Sequence, residues 1–227
     1  MDKCLKIILF LMMAMVLPQS VMATIMGEIN EVEDNNSLAT AQDIESSFYT
    51  GSMIDIRNSD LSGWEWVSIS GTGDGTYDYY SFTAQAGQEV IFDIDYGVSF
   101  GDGSIDAVLG LWSSSGGSPL WQNDDCYYTN GLNMDCSTDQ GSLSSFDPGF
   151  SWVIEEAGLY IVGVGMYNSY GFPHGDGFFG RAPSEGSTYT LQVSRNMATV
   201  PEPTTLALMW LGLIGVGLTS IVTRKNT

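Results

Sequence analysis

The sequence predicts an all-β protein in which about nine antiparallel strands pack as a two-sheet sandwich. Three observations support this. Helical periodicity is almost absent between Ser46 and Arg195, short alternating or β-rich runs recur through that range, and Gly, Asn, Asp and Ser separate the runs. This combination is typical of antiparallel sheets joined by tight turns, and the number of runs suits two packed sheets.

The predicted strands differ in how their apolar residues are arranged. In the run Val90 to Tyr96, apolar and acidic residues alternate, which predicts one buried and one polar face. Leu159–Val164 is apolar throughout, as expected of a central strand covered on both faces. The candidate strands are Phe48–Ile54, Trp66–Ser70, Tyr79–Ala84, Glu89–Tyr96, Ala107–Trp112, Pro119–Gln122, Ser151–Glu155, Leu159–Met166 and Thr188–Ser194.

The first 23 residues have the pattern of a cleaved secretory signal peptide. Lys3 and Lys6 form a basic start, Ile7 to Val16 is apolar, and small residues end at Ala23, where we expect cleavage. Residues 24–45 form an acidic lead-in with one helical turn predicted at Ser37–Ala41, and residues 46–195 form the sandwich domain. The remainder divides into a linker, 196–203, and an apolar tail, 204–227.

The end of the linker and the tail together have three parts in a fixed order. Pro201, Glu202 and Pro203 come first, an uncharged apolar run from Leu206 to Val222 follows, and Arg224 and Lys225 end it. The run is close to the ~20 residues that a membrane-spanning helix needs. The basic pair is expected to stay on the cytoplasmic side.

This order resembles the PEP-CTERM sorting signal of Gram-negative bacteria. The resemblance implies processing by an exosortase-type enzyme in or near the inner membrane, and then residence in the cell envelope or outside the cell. It also implies a setting of exopolysaccharide and biofilm production. The alternative is a simple tail anchor, which equally requires an exported domain.

The charge is strongly one-sided. Between residues 24 and 200 there are 25 acidic residues and three arginines, a formal charge of −22 without histidine, and there is no lysine. Such a surface repels nucleic acid and anionic lipid, so neither is an expected partner. It suits divalent cations, which bind carboxylate oxygens well. The alternative is that the acids only keep an exported protein soluble.

Two cysteines are left after signal removal, Cys126 and Cys136. An even pair in an oxidising compartment favours a disulfide, which would contribute about 2–3 kcal/mol by closing a short loop. Zinc is the weaker alternative, because two cysteines without clustered histidines do not supply four ligands.

Several short motifs, in order, resemble bacterial pre-peptidase C-terminal domains, although Asp34 stands where that family has proline. The resemblance covers about residues 28–195 and implies a jelly-roll-like β-sandwich. The matching segments are Glu31–Asn36, Ala39–Gln42, Asp78–Phe82, Ala86–Val90, Ala157–Tyr160 and Thr188–Val193.

Calcium is the most specific ligand predicted. The lead-in offers four oxygen-bearing side chains within six residues, and calcium takes six to eight oxygens from such loops. Some collagen-binding relatives of the family bind calcium through these positions and two acids before the next strand. Carried over, the ligands are Glu31, Glu33, Asn35, Asn36, Asp74 and Asp78, with the spacing to Asp74 one residue longer than in the relatives. The alternative is that these acids are solvated.

A second acidic group combines Asn123, Asp124 and Asp125 with Asp106, Asp93 and Asp95. Like charges that share a strand face disfavour each other unless a cation or a donor intervenes. Turn formation is the favoured interpretation of Asn123 to Asp125, since Asn and Asp side chains bond their own backbone in turns.

Nothing in the sequence favours an enzyme. His174 is the one histidine, and no Gly-x-Ser-x-Gly motif supplies a nucleophile for it. We therefore expect no catalytic residues. A binding module for carbohydrate or protein is the alternative function, in which loop aromatics contact the ligand. The aromatics to test for exposure are Trp64, Tyr127, Tyr128, Tyr167, Tyr170, Phe178 and Phe179.

Overall fold

The computed structural model describes residues 26–95, 105–125, 146–168 and 176–197. These residues form two five-stranded sheets packed face to face, which confirms the predicted all-β sandwich. The strands are β1 Glu28–Asn30, β2 Gln42–Asp43, β3 Trp64–Thr72, β4 Asp78–Ala84, β5 Glu89–Asp95, β6 Ala107–Ser113, β7 Trp121–Asn123, β8 Gly149–Val153, β9 Gly158–Met166 and β10 Thr188–Asn196. A 3-10 helix at Glu45–Ser47 follows β2.

The strand order is β1-β3-β10-β5-β8 in the first sheet and β2-β4-β9-β6-β7 in the second. Both sheets are mixed, whereas the sequence predicted antiparallel pairing throughout. The short edge strands β1 and β2 run parallel to β3 and β4, and the other neighbours in each sheet are antiparallel.

The lead-in differs most from the prediction. Its residues supply β1 and β2, one edge strand to each sheet, and the fully buried Ile44. The predicted strand Phe48–Ile54 is wrong, because only Tyr49 pairs, through an isolated bridge to Trp66. A turn within Ser37–Ala41 is present, closed by the amide of Thr40 on the carbonyl of Ser37 at 3.0 Å.

The core has two layers. The main layer lies between the sheets and includes Phe82, Phe92 and Val162. A smaller one, with Tyr79, Trp112 and Phe178, covers the other face of the second sheet. Because that sheet is covered on both faces, its central strand β9 is apolar on both sides, as its sequence predicts.

Three predicted features lie outside the described residues: the signal peptide, the Cys126–Cys136 disulfide and the apolar tail with its sorting motif. Within the described ranges, no helix has the length and apolar character needed to cross a membrane.

Candidate functional site

The lead-in carries two of its acids to the first residue of β4. Carboxylate oxygens of Glu31, Glu33 and Asp78 all lie within 4.8 Å of one another. Glu31 is placed by its own backbone, whose amide extends the β1–β3 pairing to the carbonyl of Ser70 at 3.0 Å. The amide of Thr72 also donates to Glu31 Oε2 at 2.7 Å. Sequence-distant acids thus meet because β1 lies along β3.

Two buried tyrosines join these acids to both sheets. Tyr189 Oη in β10 lies 2.7 Å from Asp78 Oδ2, 3.1 Å from Glu31 Oε1 and 2.6 Å from Tyr80 Oη. Tyr80 in β4 also donates to Glu31 Oε1 at 2.8 Å. Neither tyrosine is among the site residues predicted from the sequence. The sequence did offer a signal for both: Tyr80 lies two residues after Asp78, and Tyr189 occupies an inward position of the last predicted strand.

Gly71 makes room for this network. It pairs with Tyr189 across β3 and β10, and a Cβ at position 71 would come within 2.1 Å of Tyr189 Cζ. We expect Gly71→Ala to displace the ring and lower the free energy of unfolding by about 1–3 kcal/mol, as overpacking does. Urea unfolding measures this. Gly158→Ala is the matched control, because nothing lies within 4 Å of a Cβ there; equal effects of both changes would contradict the explanation.

Asn35 completes the floor of the site. It is fully buried, its backbone carbonyl accepts from the Tyr79 amide at 3.0 Å, and its Nδ2 donates to Glu31 Oε1 at 2.9 Å. The buried Oδ1 atoms of Asn35, Asn36 and Asp78 have no hydrogen-bond donor. Buried oxygens without donors are costly, and a bound cation is one way of satisfying them.

The electrostatics favour neutralisation of this group. Burial, and then the charge of Glu31, raise the pKa of Asp78 to about 8. Burial and the charges of Glu31 and Asp74 also raise the pKa of Glu33. Without a cation, Asp78 therefore holds a proton at neutral pH.

Asp74 is not part of the group of three carboxylates. Its side chain instead closes a turn, with Oδ1 accepting from the Thr76 amide at 2.7 Å and from the Thr76 hydroxyl. These bonds lower the pKa of Asp74. Its charge still reaches Glu33 and Asp78, whose pKa values it raises. The structure thus brings Glu31, Glu33, Asn35 and Asp78 together and gives Asp74 a different primary role.

The second acidic group is smaller than the sequence suggested. Carboxylate oxygens of Asp106, Asp124 and Asp125 lie within 4.8 Å of one another. Asp93 and Asp95 instead lie on β5 of the other sheet, where Gln192 donates to Asp95. Burial, and then the charge of Asp125, raise the pKa of Asp124 to about 6.

Both acidic groups lie at one end of the second sheet. The register places Asp78, Val164, Leu109 and Asn123 in one row across β4, β9, β6 and β7. Three strand spacings of about 4.8 Å separate the ends of that row by about 14 Å. The first group faces β10 between the sheets, and the second lies beside the short edge strand β7.

The loop aromatics divide into buried and exposed. Phe178 is fully buried in the smaller core layer, and Trp64 is half-buried. Tyr167 and Phe179 are exposed by 43% and 48%. Tyr127, Tyr128 and Tyr170 lie outside the described residues, as does His174.

The fold and these groups define a small β-sandwich with an acidic, oxygen-rich site at one end. Residues 199–225 match the PEP-CTERM protein-sorting motif, which confirms the resemblance of the tail. The motif marks the chain for export through the inner membrane to the envelope or extracellular space, with processing by an exosortase-type system and membrane anchoring. No curated protein matches the chain.

Solved structures to which the chain is similar include two bacterial lysozyme inhibitors and one pre-peptidase C-terminal domain. The periplasmic inhibitor of g-type lysozyme PliG from Aeromonas hydrophila is 13% identical (60% of this chain, 87% of that chain, TM-score 0.33). The pre-peptidase C-terminal domain of Bacillus anthracis collagenase is 14% identical (57% and 88%, TM-score 0.32). PliG from Salmonella Typhimurium is 17% identical (69% and 98%, TM-score 0.31).

Proposed function

We propose that this protein is a non-enzymatic, calcium-stabilised β-sandwich of the cell envelope or extracellular matrix. The observation that carries the calcium proposal is the meeting of Glu31, Glu33 and Asp78, beside buried Asn and Asp oxygens that have no donor. A calcium ion prefers such a set of carboxylate and amide oxygens. The association with exopolysaccharide is what the sorting motif's resemblance implies.

Calcium would act as a clasp between distant parts of the chain. Glu31 and Glu33 belong to the lead-in, Asp78 begins β4, and Tyr189 links Asp78 to β10. An ion on these carboxylates would hold the lead-in against both sheets and offset the repulsion among three like charges. The ion would therefore stabilise the folded, exported domain and would take part in no reaction.

Thermal unfolding with added calcium tests this proposal. For the full chain purified in detergent, we expect a saturable rise in Tm, because a ligand that binds only the folded state adds about 2.7 kcal/mol at 100 times its Kd. Glu33→Gln is the sharpest variant, since Glu33 is exposed and its loss leaves the tyrosine network intact. It is expected to weaken calcium binding at least about tenfold, which corresponds to about 1.4 kcal/mol.

Glu28→Gln is the matched control, because Glu28 is also a lead-in acid but lies outside the group of three. It is expected to leave calcium binding unchanged. If calcium leaves the Tm of the unaltered protein unchanged, or if the two variants affect calcium binding equally, the proposed calcium site is contradicted. The lead-in acids would then contribute only surface charge.

A second proposed function is ligand binding through the loop aromatics. It is favoured by one observation: the exposed Tyr167 and Phe179 both line a single pocket next to the second acidic group.

A further inference from the structure

The pocket lies on the outer face of the second sheet, away from the proposed calcium site. Its volume is about 260 Å³, and its lining includes Val108, Gln122, Asp124, Tyr167 and Phe179. Val108 belongs to the smaller core layer that covers this face. The alternation of β7 places Gln122, which pairs with Gly110, on the same face.

The walls of the pocket are fixed by hydrogen bonds. Gln122 Oε1 accepts from the Phe179 amide at 2.7 Å, and Gln122 Nε2 donates to the Gly177 carbonyl at 3.1 Å. The Tyr167 amide donates to the carbonyl of Asp106 at 2.7 Å. The backbone of Phe179 is thus hydrogen-bonded to β7, and that of Tyr167 to the residue before β6. Because these bonds position both exposed aromatics without a ligand, the pocket is preformed.

The charged residue that lines the pocket is an acid, Asp124. Carboxylate oxygens of Asp124, Asp106 and Asp125 lie within 4.8 Å of one another. These three neighbouring carboxylates disfavour an acidic ligand and favour a cationic one.

From these features we infer that the pocket binds one sugar unit carrying a free amine, such as a hexosamine of a basic glycan. Tyr167 and Phe179 offer apolar ring faces to the sugar, and both attract a cation through their π-systems. The carboxylate of Asp124, which lines the pocket, attracts its ammonium group. The inference rests on the second proposed function, ligand binding, and is independent of calcium.

Calorimetric titration of the full chain in detergent with a chitosan tetrasaccharide tests the inference. About 0.3 M salt suppresses non-specific attraction between a polycation and this acidic protein. We expect saturable binding that Asp124→Asn and Phe179→Ala each weaken at least about tenfold. Glu156→Gln and Leu61→Ala remove an exposed acid and an exposed apolar side chain elsewhere, and are expected to change Kd less than about twofold.

Matched ligands separate the possible failures. The fully acetylated chitin tetrasaccharide keeps the hydroxyls but lacks the ammonium groups, and is expected to bind at least about tenfold more weakly. Equal binding of both sugars would overturn the amine requirement while leaving glycan binding intact. Equal binding of a lysine tetrapeptide, with the same sensitivity to both variants, would overturn the sugar in favour of a protein ligand. Absence of binding, or binding insensitive to the pocket variants, would overturn the site itself.

Discussion

Replacement of Arg195 by alanine is expected to lower the free energy of unfolding by about 2–4 kcal/mol. Arg195 lies in β10 and is buried, and its guanidinium bonds Glu65 at 2.7 Å and Glu45 at 2.9 Å. It also donates to the Thr83 carbonyl in β4 and stacks 3.8 Å from the centre of the Phe48 ring. Removal of one partner from a buried ion pair costs about 3–5 kcal/mol, and the partial exposure of Glu45 reduces this.

Urea unfolding of the full chain in detergent measures the effect. Arg181→Ala is the control, because Arg181 is exposed and the change removes the same charge. Arg195→Lys separates charge from geometry: lysine keeps the charge but cannot make the planar set of bonds to two carboxylates and a carbonyl. We expect it to recover less than half of the loss. Full recovery would show that charge alone matters at this position.

The calcium-free protein is expected to lose stability as the pH rises from about 4 to about 8. The pKa of Asp78 is raised from 3.8 to about 8 by burial and the charge of Glu31. The folded state thus holds a proton that the unfolded state releases near pH 4. The stabilisation is complete below pH 4 and is lost as the pH passes through about 8, with a slope of about −1.4 kcal/mol per pH unit for one proton.

Urea unfolding at several pH values, with a calcium chelator present, measures this slope. Asp78→Asn is expected to remove most of the slope, since the amide does not titrate. Saturating calcium is expected to remove it too, because the ion stabilises the carboxylate form of Asp78. An unchanged slope in Asp78→Asn would mean that other acids account for the pH dependence.

Two sets of polar contacts between the sheets lie at opposite ends of β10. Tyr189 meets Asp78 at one end, and Arg195 meets Thr83 and Glu45 at the other. Arg195 follows Tyr189 by six positions, about 20 Å along a strand. Polar contacts thus fix the alignment of the two sheets at both ends of an otherwise apolar interface. The pH dependence and the Arg195 effect report on separate ends of the sandwich.

Local pattern made much of the fold predictable. Runs such as Leu159–Val164 are long and apolar, and their place at the centre of a covered sheet follows from that composition. The lead-in strands could not be predicted this way. β1 and β2 have three and two residues, too few to show a period, and their pairing with β3 and β4 depends on residues that are distant in the sequence.

The sequence by itself determined the sorting tail, the all-β class and the set of acids in which a cation site must be sought. Each of these features depends only on composition or on the order of neighbouring residues, so it can be recognised without the tertiary structure. The tertiary structure decided which acids meet. Asp78 joins Glu31 and Glu33, while Asp74 turns to Thr76, and Asp124 joins Asp106 rather than Asp95. Such groupings depend on strand order and register, which are set by burial of the whole core and not by any one segment.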